Sequence, residues 1–379
     1  MTEPEHGANG TAGTPSADQL STEEKRASIK LITDNAQRLY QWNYTRERPQ
    51  LVTLYNKAMA SQWNSVTDLD WATPVDPEET AAERDSDFMQ IVRAAAEEPG
   101  SPISSWGEKE FTQIGIENMK ATLSQFMHGE QGAMIVAAKL TETVPWIDAK
   151  YYAATQTMDE ARHTEVFAKY LDEKLGEPYE MSPGLEAQIT DLIEDSRWDI
   201  AYLGMQIVIE SLALAAFGSM MRTTSEPLLK KLLRYVISDE ARHVAFGILS
   251  LQEYYENLSE AELKDRQEFM LDNTIRQRNR SANPEIWDRM GVKVEDIVPH
   301  LMAAAARIQV HPFAGFQRQF FAKLVPNTRR LGLLDANGGY LREMWGDAGL
   351  MEFEFADDTA TDYESYDAVA ADRANAALN

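Results

Sequence analysis

The chain has 379 residues, a formal net charge of −25 and no cysteine. That length suffices for one large domain or two ordinary ones, and the acidic surface repels phosphate backbones and anionic bilayers, so neither nucleic acid nor a membrane is an expected partner. Without thiols the protein has no disulfide, zinc-thiolate site or iron–sulfur cluster of its own, and any metal must sit on oxygen and imidazole.

Residues 1–20 are acidic and rich in small side chains, lack the basic start and apolar run of a secretory signal, and read as a disordered tail on a cytoplasmic protein. A helical domain is expected over 21–355. Within it, "SQWNSVTDLDW" at 61–71 reads as an irregular, aromatic-rich segment packed on the helices. From 108 onward apolar residues recur three and four apart among Ala, Leu, Glu, Lys and Met, with hardly any strand-like alternation, so the fold class is all α. A long helix is predicted over about 108–142, broken by "TVPW" because Pro145 cannot continue a helix but can open the next, which extends to about 174. The turn-rich stretch 176–184 separates it from a shorter helix at 185–195.

The apolar run "IAYLGMQIVIESLALAAFGSMM" at 200–221 is long enough to cross a bilayer, which takes roughly 20 residues. Its central Glu210 is costly in lipid, and its small residues suit close helix packing, so a buried core helix is the better reading. In "TTSEPLL" at 223–229, Ser225 is a candidate N-cap and Pro227 a first-turn residue of a helix reaching about 255. Further helices follow to about 347, interrupted by an irregular stretch at 311–313, and the acidic end 356–379 reads as a second disordered tail.

"DEARH" occurs twice, at 159–163 and 239–243, and each copy places Glu and His three apart on one helix face. The copies are offset by 80 residues; stepping back 80 from Glu210 reaches Glu130, another carboxylate in an apolar segment. The halves therefore match as Glu130, Glu160, His163 and Glu210, Glu240, His243. Glu130 and Glu160 lie 15 residues either side of Pro145, and Glu210 and Glu240 lie 15 either side of Ser225. Two helical hairpins turning at those points return all six groups to one level of a bundle. A Glu from each of two helices and Glu-x-x-His from each of two others is the donor set of dimetal carboxylate bundles. Four carboxylates cancel two divalent cations, which lets the charge be buried. Hard oxygens with one imidazole per ion suit iron or manganese. Asp159 and Asp239 are placed to accept the histidine N–H of the opposite half, and Arg162 and Arg242 to pair with nearby carboxylates. Met158, Met205 and Phe126 are expected in an apolar wall. The alternative, that both motifs lie on solvated faces, has to explain six positions independently.

On these residues, over about 108–256, the sequence resembles the ferritin-like superfamily of dimetal carboxylate proteins, near the p-aminobenzoate N-oxygenases, bacterial multicomponent monooxygenases and ribonucleotide reductase small subunits. The resemblance implies a ferritin-like four-helix bundle with additional flanking helices, a cofactor of two iron ions or a Mn/Fe pair, and O2 as co-substrate. It also implies an oxygenase acting on a small apolar or aromatic substrate beside Glu130 and Glu210, a separate reductase or ferredoxin as electron donor, and a homodimer. Three positions depart from those groups: Phe167 stands where the reductase subunit has its radical tyrosine, Val236 where N-oxygenases add a seventh ligand, and Leu214 where the monooxygenases have a threonine. A desaturase, an N-oxygenase, or a ferroxidase handling metal without an organic substrate are the competing outcomes for the same cofactor; a metal-free structural subunit would have no use for all six ligands.

Overall fold

A computed structural model describes residues 32–34, 36–82, 86–278, 283–310, 314–356 and 363–378. The expected tail at 1–20 and the irregular stretch at 311–313 lie outside the described residues. Every regular element among the described residues is helical, and all belong to the compact unit Asp34–Asn379. They are α1 (Pro49–Ala60), α2 (Pro77–Ala82), α3 (Asp87–Ala96), α4 (Glu108–Thr143), α5 (Ile147–Tyr170), α6 (Pro183–Glu194), α7 (Trp198–Thr223), α8 (Pro227–Tyr255), α9 (Glu260–Arg278), α10 (Pro284–Arg289), α11 (Val294–Ile308), α12 (Ala314–Arg330), α13 (Ala336–Asp347) and α14 (Ala368–Leu378).

Helices α4, α5, α7 and α8 form the central bundle: α4 packs along α5, α7 along α8, and α5 against α8. The break between α4 and α5 falls at "VPW", where Val144 adopts an extended conformation ahead of Pro145. The apolar helix α7 is a core element, with 83% of its most apolar window buried inside the protein. It is not a regular α-helix throughout, since Leu203–Ile209 forms a π-helical segment immediately before Glu210. The extra residue in each turn of such a segment changes which side chains face the core, and π-segments concentrate at functional sites.

The start of α8 differs from the sequence expectation. Glu226, rather than Ser225, is the cap: its carboxylate oxygens accept from the backbone N–H of Leu228 at 2.7 Å and of Leu229 at 2.6 Å. A carboxylate offers two acceptors and a negative charge to the positive end of the helix, which a hydroxyl cannot match. Tyr170 at the end of α5 donates to the same carboxylate at 2.9 Å, so the cap also ties the two helical hairpins together.

Around the bundle, α1 lies on α5 and α8, α3 packs on α11, and α12 lies on α7. The C-terminal segment is not a free tail where it is described. Residues 363–378 form a 3-10 turn and α14, both against α8, with Val369 buried, Asp372 paired with Arg234, and Arg373 donating to the carbonyls of Ala60 and Gln62. Low aliphatic content suggested disorder, but specific ion pairs and a few small apolar residues anchor the helix.

Candidate metal centre

The structure brings all six donors together in the interior. Glu130 comes from α4, Glu160 and His163 from α5, Glu210 from α7, and Glu240 and His243 from α8. They make two overlapping groups, Glu130, Glu160, His163 and Glu240 on one hand and Glu160, Glu210, Glu240 and His243 on the other. Within each group the candidate ligand atoms all lie within 4.8 Å of one another. Glu160 and Glu240 belong to both groups, so with two ions present they could serve both, while Glu130 with His163 and Glu210 with His243 would each serve one.

The histidines are aimed inward by Nδ1. His163 Nδ1 lies 3.3 Å from Glu130, 3.4 Å from Glu160 and 3.0 Å from Glu240. His243 Nδ1 lies 3.2 Å from Glu160, 3.5 Å from Glu210 and 2.9 Å from Glu240. Their outward nitrogens cross to the opposite half of the repeat, His163 Nε2 to Asp239 at 3.0 Å and His243 Nε2 to Asp159 at 3.4 Å. An Nε2–H donated to carboxylate leaves the Nδ1 lone pair facing the centre, the tautomer a metal ligand needs.

Both aspartates are buried and neutralised. Arg162 bridges them, at 2.6 Å from Asp159 and 2.9 Å from Asp239, and Arg242 pairs with Asp239. Trp63, from the irregular segment 61–71, adds an indole N–H to Asp239 at 2.8 Å and stacks on His163, with ring centroids 6.3 Å apart. Arg162 lies over the same indole, 4.6 Å from its centroid. Gln62 joins the network by donating to Asp159 at 2.9 Å and accepting from Arg162 at 2.7 Å.

Two arginines cancel two aspartates, and four glutamates remain with nothing but histidine protons to balance them. Burial and the Glu240 charge hold the carboxyls of Glu130 and Glu210 well above the usual range. Burial also opposes ionisation of Glu160, but the charges and hydrogen bonds of His243 and His163 outweigh it and keep that carboxyl low. The same carboxylates overcome the burial penalty on both imidazoles and hold them well above their ordinary value. Without metal, then, Glu130, Glu210 and both imidazoles are biased toward holding protons, which offsets the buried carboxylate charge. Even so, the buried Oε2 of Glu160 and Oε1 of Glu240 make no well-formed hydrogen bond, although His163 Nδ1 lies 3.4 and 3.0 Å from them. Buried carboxylate oxygens left in this state are what divalent cations would satisfy, and four carboxylates with two imidazoles fit two such ions.

All six donors are buried. Glu160, Glu240, His163 and His243 are fully buried, whereas Glu130 retains 5% exposure and Glu210 2%. Near Glu130, Phe126 packs edge-on against Phe167 and Phe217, with centroids 5.7 and 4.7 Å away. Met205 is buried in the π-segment. Met158, expected in this wall, is instead 48% exposed. Two residues before Glu160 on a helix, it points to the opposite face.

Sequence reasoning missed Gln156, which touches the centre, and Gln206, which holds it. Gln156 donates through Nε2 to Glu160 Oε1 and Glu210 Oε1, both at 2.9 Å, and its carbonyl accepts from Gln206 Nε2 at 2.8 Å. Their signal was positional, since each lies four residues before a glutamate of the set, on the same helix face.

No protein-family model matches the chain, and no curated protein matches it. Solved structures do resemble it. One is an R2-like ligand-binding oxidase with aerobically reconstituted Mn/Fe cofactor, 14% identical, covering 77% of this chain and 98% of its own, with a TM-score of 0.48. Another is that type of oxidase with a metal cofactor after photoconversion, also 14% identical, covering 77% and 99%, at 0.47. A variant with anaerobically reconstituted Mn/Fe cofactor is 16% identical, covering 75% and 93%, at 0.42. The chain's own helices carry one Glu on each of α4 and α7 and Glu-x-x-His on each of α5 and α8, in an all-α bundle whose donor arrangement is the one dimetal carboxylate bundles use.

Proposed function

We propose that the protein is a dimetal-carboxylate oxidoreductase that uses O2 to oxidise a small apolar or aromatic organic substrate. Glu130, Glu160, His163, Glu210, Glu240 and His243 are its ligands, for two iron ions or a Mn/Fe pair. The observation that carries this reading is the pair of overlapping four-residue donor groups sharing Glu160 and Glu240, all buried. When bound, such a pair supplies reversible one-electron chemistry and open coordination positions for O2.

The protein's own contribution is positional and electrostatic. Asp239 and Asp159 fix the imidazole tautomers, Arg162 and Arg242 compensate the aspartates, and the fully buried α5 and α8 side chains keep bulk water from the back of the centre. The Glu130 and Glu210 face, beside Phe126, Phe167 and Phe217, is where an apolar substrate meets it. Since the chain has no cysteine for an iron–sulfur cluster, electrons come from a separate reductase or ferredoxin in this reading.

The test is metal analysis of protein loaded anaerobically with Fe2+, followed by O2 exposure with and without apolar and aromatic candidates. Two ions per chain and O2 consumption coupled to an oxidised organic product are expected. Iron oxidised and retained with no coupled product under any candidate would move the assignment to metal handling.

A further inference from the structure

The 80-residue repeat makes the two halves of the centre comparable position by position, and they are not equivalent. Gln156 and Gln206 correspond to Val236 and Phe126, so the amide pair on the Glu210 side has only apolar counterparts on the Glu130 side. Phe167 likewise corresponds to Gly247. In one half Phe126 packs on Phe167. In the other, Gln206 packs against Gly247 so closely that a Cβ there would lie 2.5 Å from Gln206 Cβ and 3.1 Å from Ile207 Cδ1. A fourth difference is in the backbone: Leu203–Ile209 is π-helical, whereas its counterpart at 123–129 lies within the regular helix α4. The π-segment carries Gln206, and Gly247 makes the room it occupies.

Gln156 and Gln206 exchange amide hydrogen bonds, Gln206 Nε2 to the Gln156 carbonyl at 2.8 Å and Gln156 Nε2 to the Gln206 carbonyl at 3.2 Å, with the Gln156 NH2 also turned toward Glu160 and Glu210 at 2.9 Å. Glu160 Oε1 and Glu210 Oε1 are also the oxygens that face His243 Nδ1, at 3.2 and 3.5 Å. By contrast, the one hydrogen bond described for Glu130 is with His163, at 3.3 Å. Glu210 is tethered by an amide and its counterpart Glu130 is not.

We infer that Gln156, held by Gln206, is a positioning residue that pre-organises the Glu210/His243 metal position and makes the two positions bind their ions with unequal affinity. This rests on the two-ion reading above. A donor beneath a ligand carboxylate restricts it to one rotamer before the ion arrives, and loss of such a partner typically weakens metal binding 10- to 100-fold.

The experiment titrates metal-free protein with Mn2+ alone, counting bound ions by electron paramagnetic resonance, for the native chain, Gln156→Met and Gln206→Met. In Gln156→Met, one of the two dissociation constants is expected to rise about 10- to 100-fold while the other stays within about threefold. Gln206→Met, which touches no ligand, should shift the same ion in the same direction by a smaller factor. Two constants that are unchanged in Gln156→Met, or that rise together, overturn the inference, as does a Gln206→Met protein identical to the native one. Should Gln156→Met fail to fold, Gln206→Met decides alone. Fewer than two Mn2+ bound by the native protein would instead overturn the two-ion reading, and the inference with it.

Discussion

Asp239 holds His163 across the repeat, with Oδ2 3.0 Å from Nε2, while Trp63, Arg162 and Arg242 converge on the same carboxylate. All of these groups except Arg162 are less than 5% exposed, so the aspartate's charge is both required by the arginines and unavailable to water. Asp239→Asn keeps the shape and removes the charge. Leaving a buried arginine unpaired costs about 3–5 kcal/mol, and freeing the imidazole lowers metal affinity about 10- to 100-fold. Urea unfolding of the metal-free variant and a metal titration measure the two effects separately. Lower stability with native metal affinity would restrict Asp239 to balancing the arginines.

Trp63→Phe removes one donor from the same carboxylate while keeping an aromatic ring over His163. A hydrogen bond to a charged buried group is worth about 1.5–3 kcal/mol, so destabilisation of that size is expected with both ions still bound. A denaturant midpoint unchanged from the native protein would show that the indole N–H is dispensable and that only its ring matters.

The proton inventory fixes a pH dependence. Glu130, Glu210, His163 and His243 all have raised values in the metal-free fold, the carboxyls mainly by burial and the imidazoles because their carboxylate neighbours overcome it. A raised group contributes stability that is present below its unfolded value and lost as pH rises through its folded one. Stability of the metal-free protein should therefore fall as pH rises, from 4.5 upward through the carboxyls and from 6.5 upward through the imidazoles. Divalent ions displace these protons, so metal affinity and the stabilisation it confers should rise over the same interval. Calorimetric titration in buffers of different ionisation enthalpy counts the protons released. Affinity that is flat from pH 6 to pH 8, with no buffer-dependent heat, contradicts this account.

How much of this was legible beforehand depends on whether a feature repeats. The six donors, the crossing of Asp159 and Asp239 to the opposite histidines, and the helical hairpins at Pro145 and near Ser225 all follow from one 80-residue offset and helix geometry. What breaks the repeat was not legible. Gln156 and Gln206 look like ordinary core amides until α5 and α7 are seen side by side, and no residue pattern announces the π-segment that carries Gln206. Trp63 contributes from 176 positions away in the chain, a distance over which periodicity says nothing. Glu226 displaced Ser225 as the cap because its second oxygen also serves Tyr170, a tertiary contact invisible to local capping rules.

The C-terminal segment is the other place where composition misled, and it connects to the centre. Tyr235 donates to Asp372 at 2.8 Å on one side and packs on Trp63, 5.4 Å between centroids, on the other. Burial and the Asp372 carboxylate push its phenol up to about 12. Truncation after residue 356 would expose Tyr235, free the carbonyls of Ala60 and Gln62 from Arg373, and remove Val369, whose burial contributes about 1.5–3 kcal/mol. None of the six metal donors lies in the removed segment. The truncated protein should therefore melt at lower temperature and exchange amide hydrogens faster around 57–63, while binding the same number of ions. A melting temperature and exchange pattern identical to those of the full chain would mean that α14 leaves α8 readily in solution, as its sparse aliphatic content first suggested.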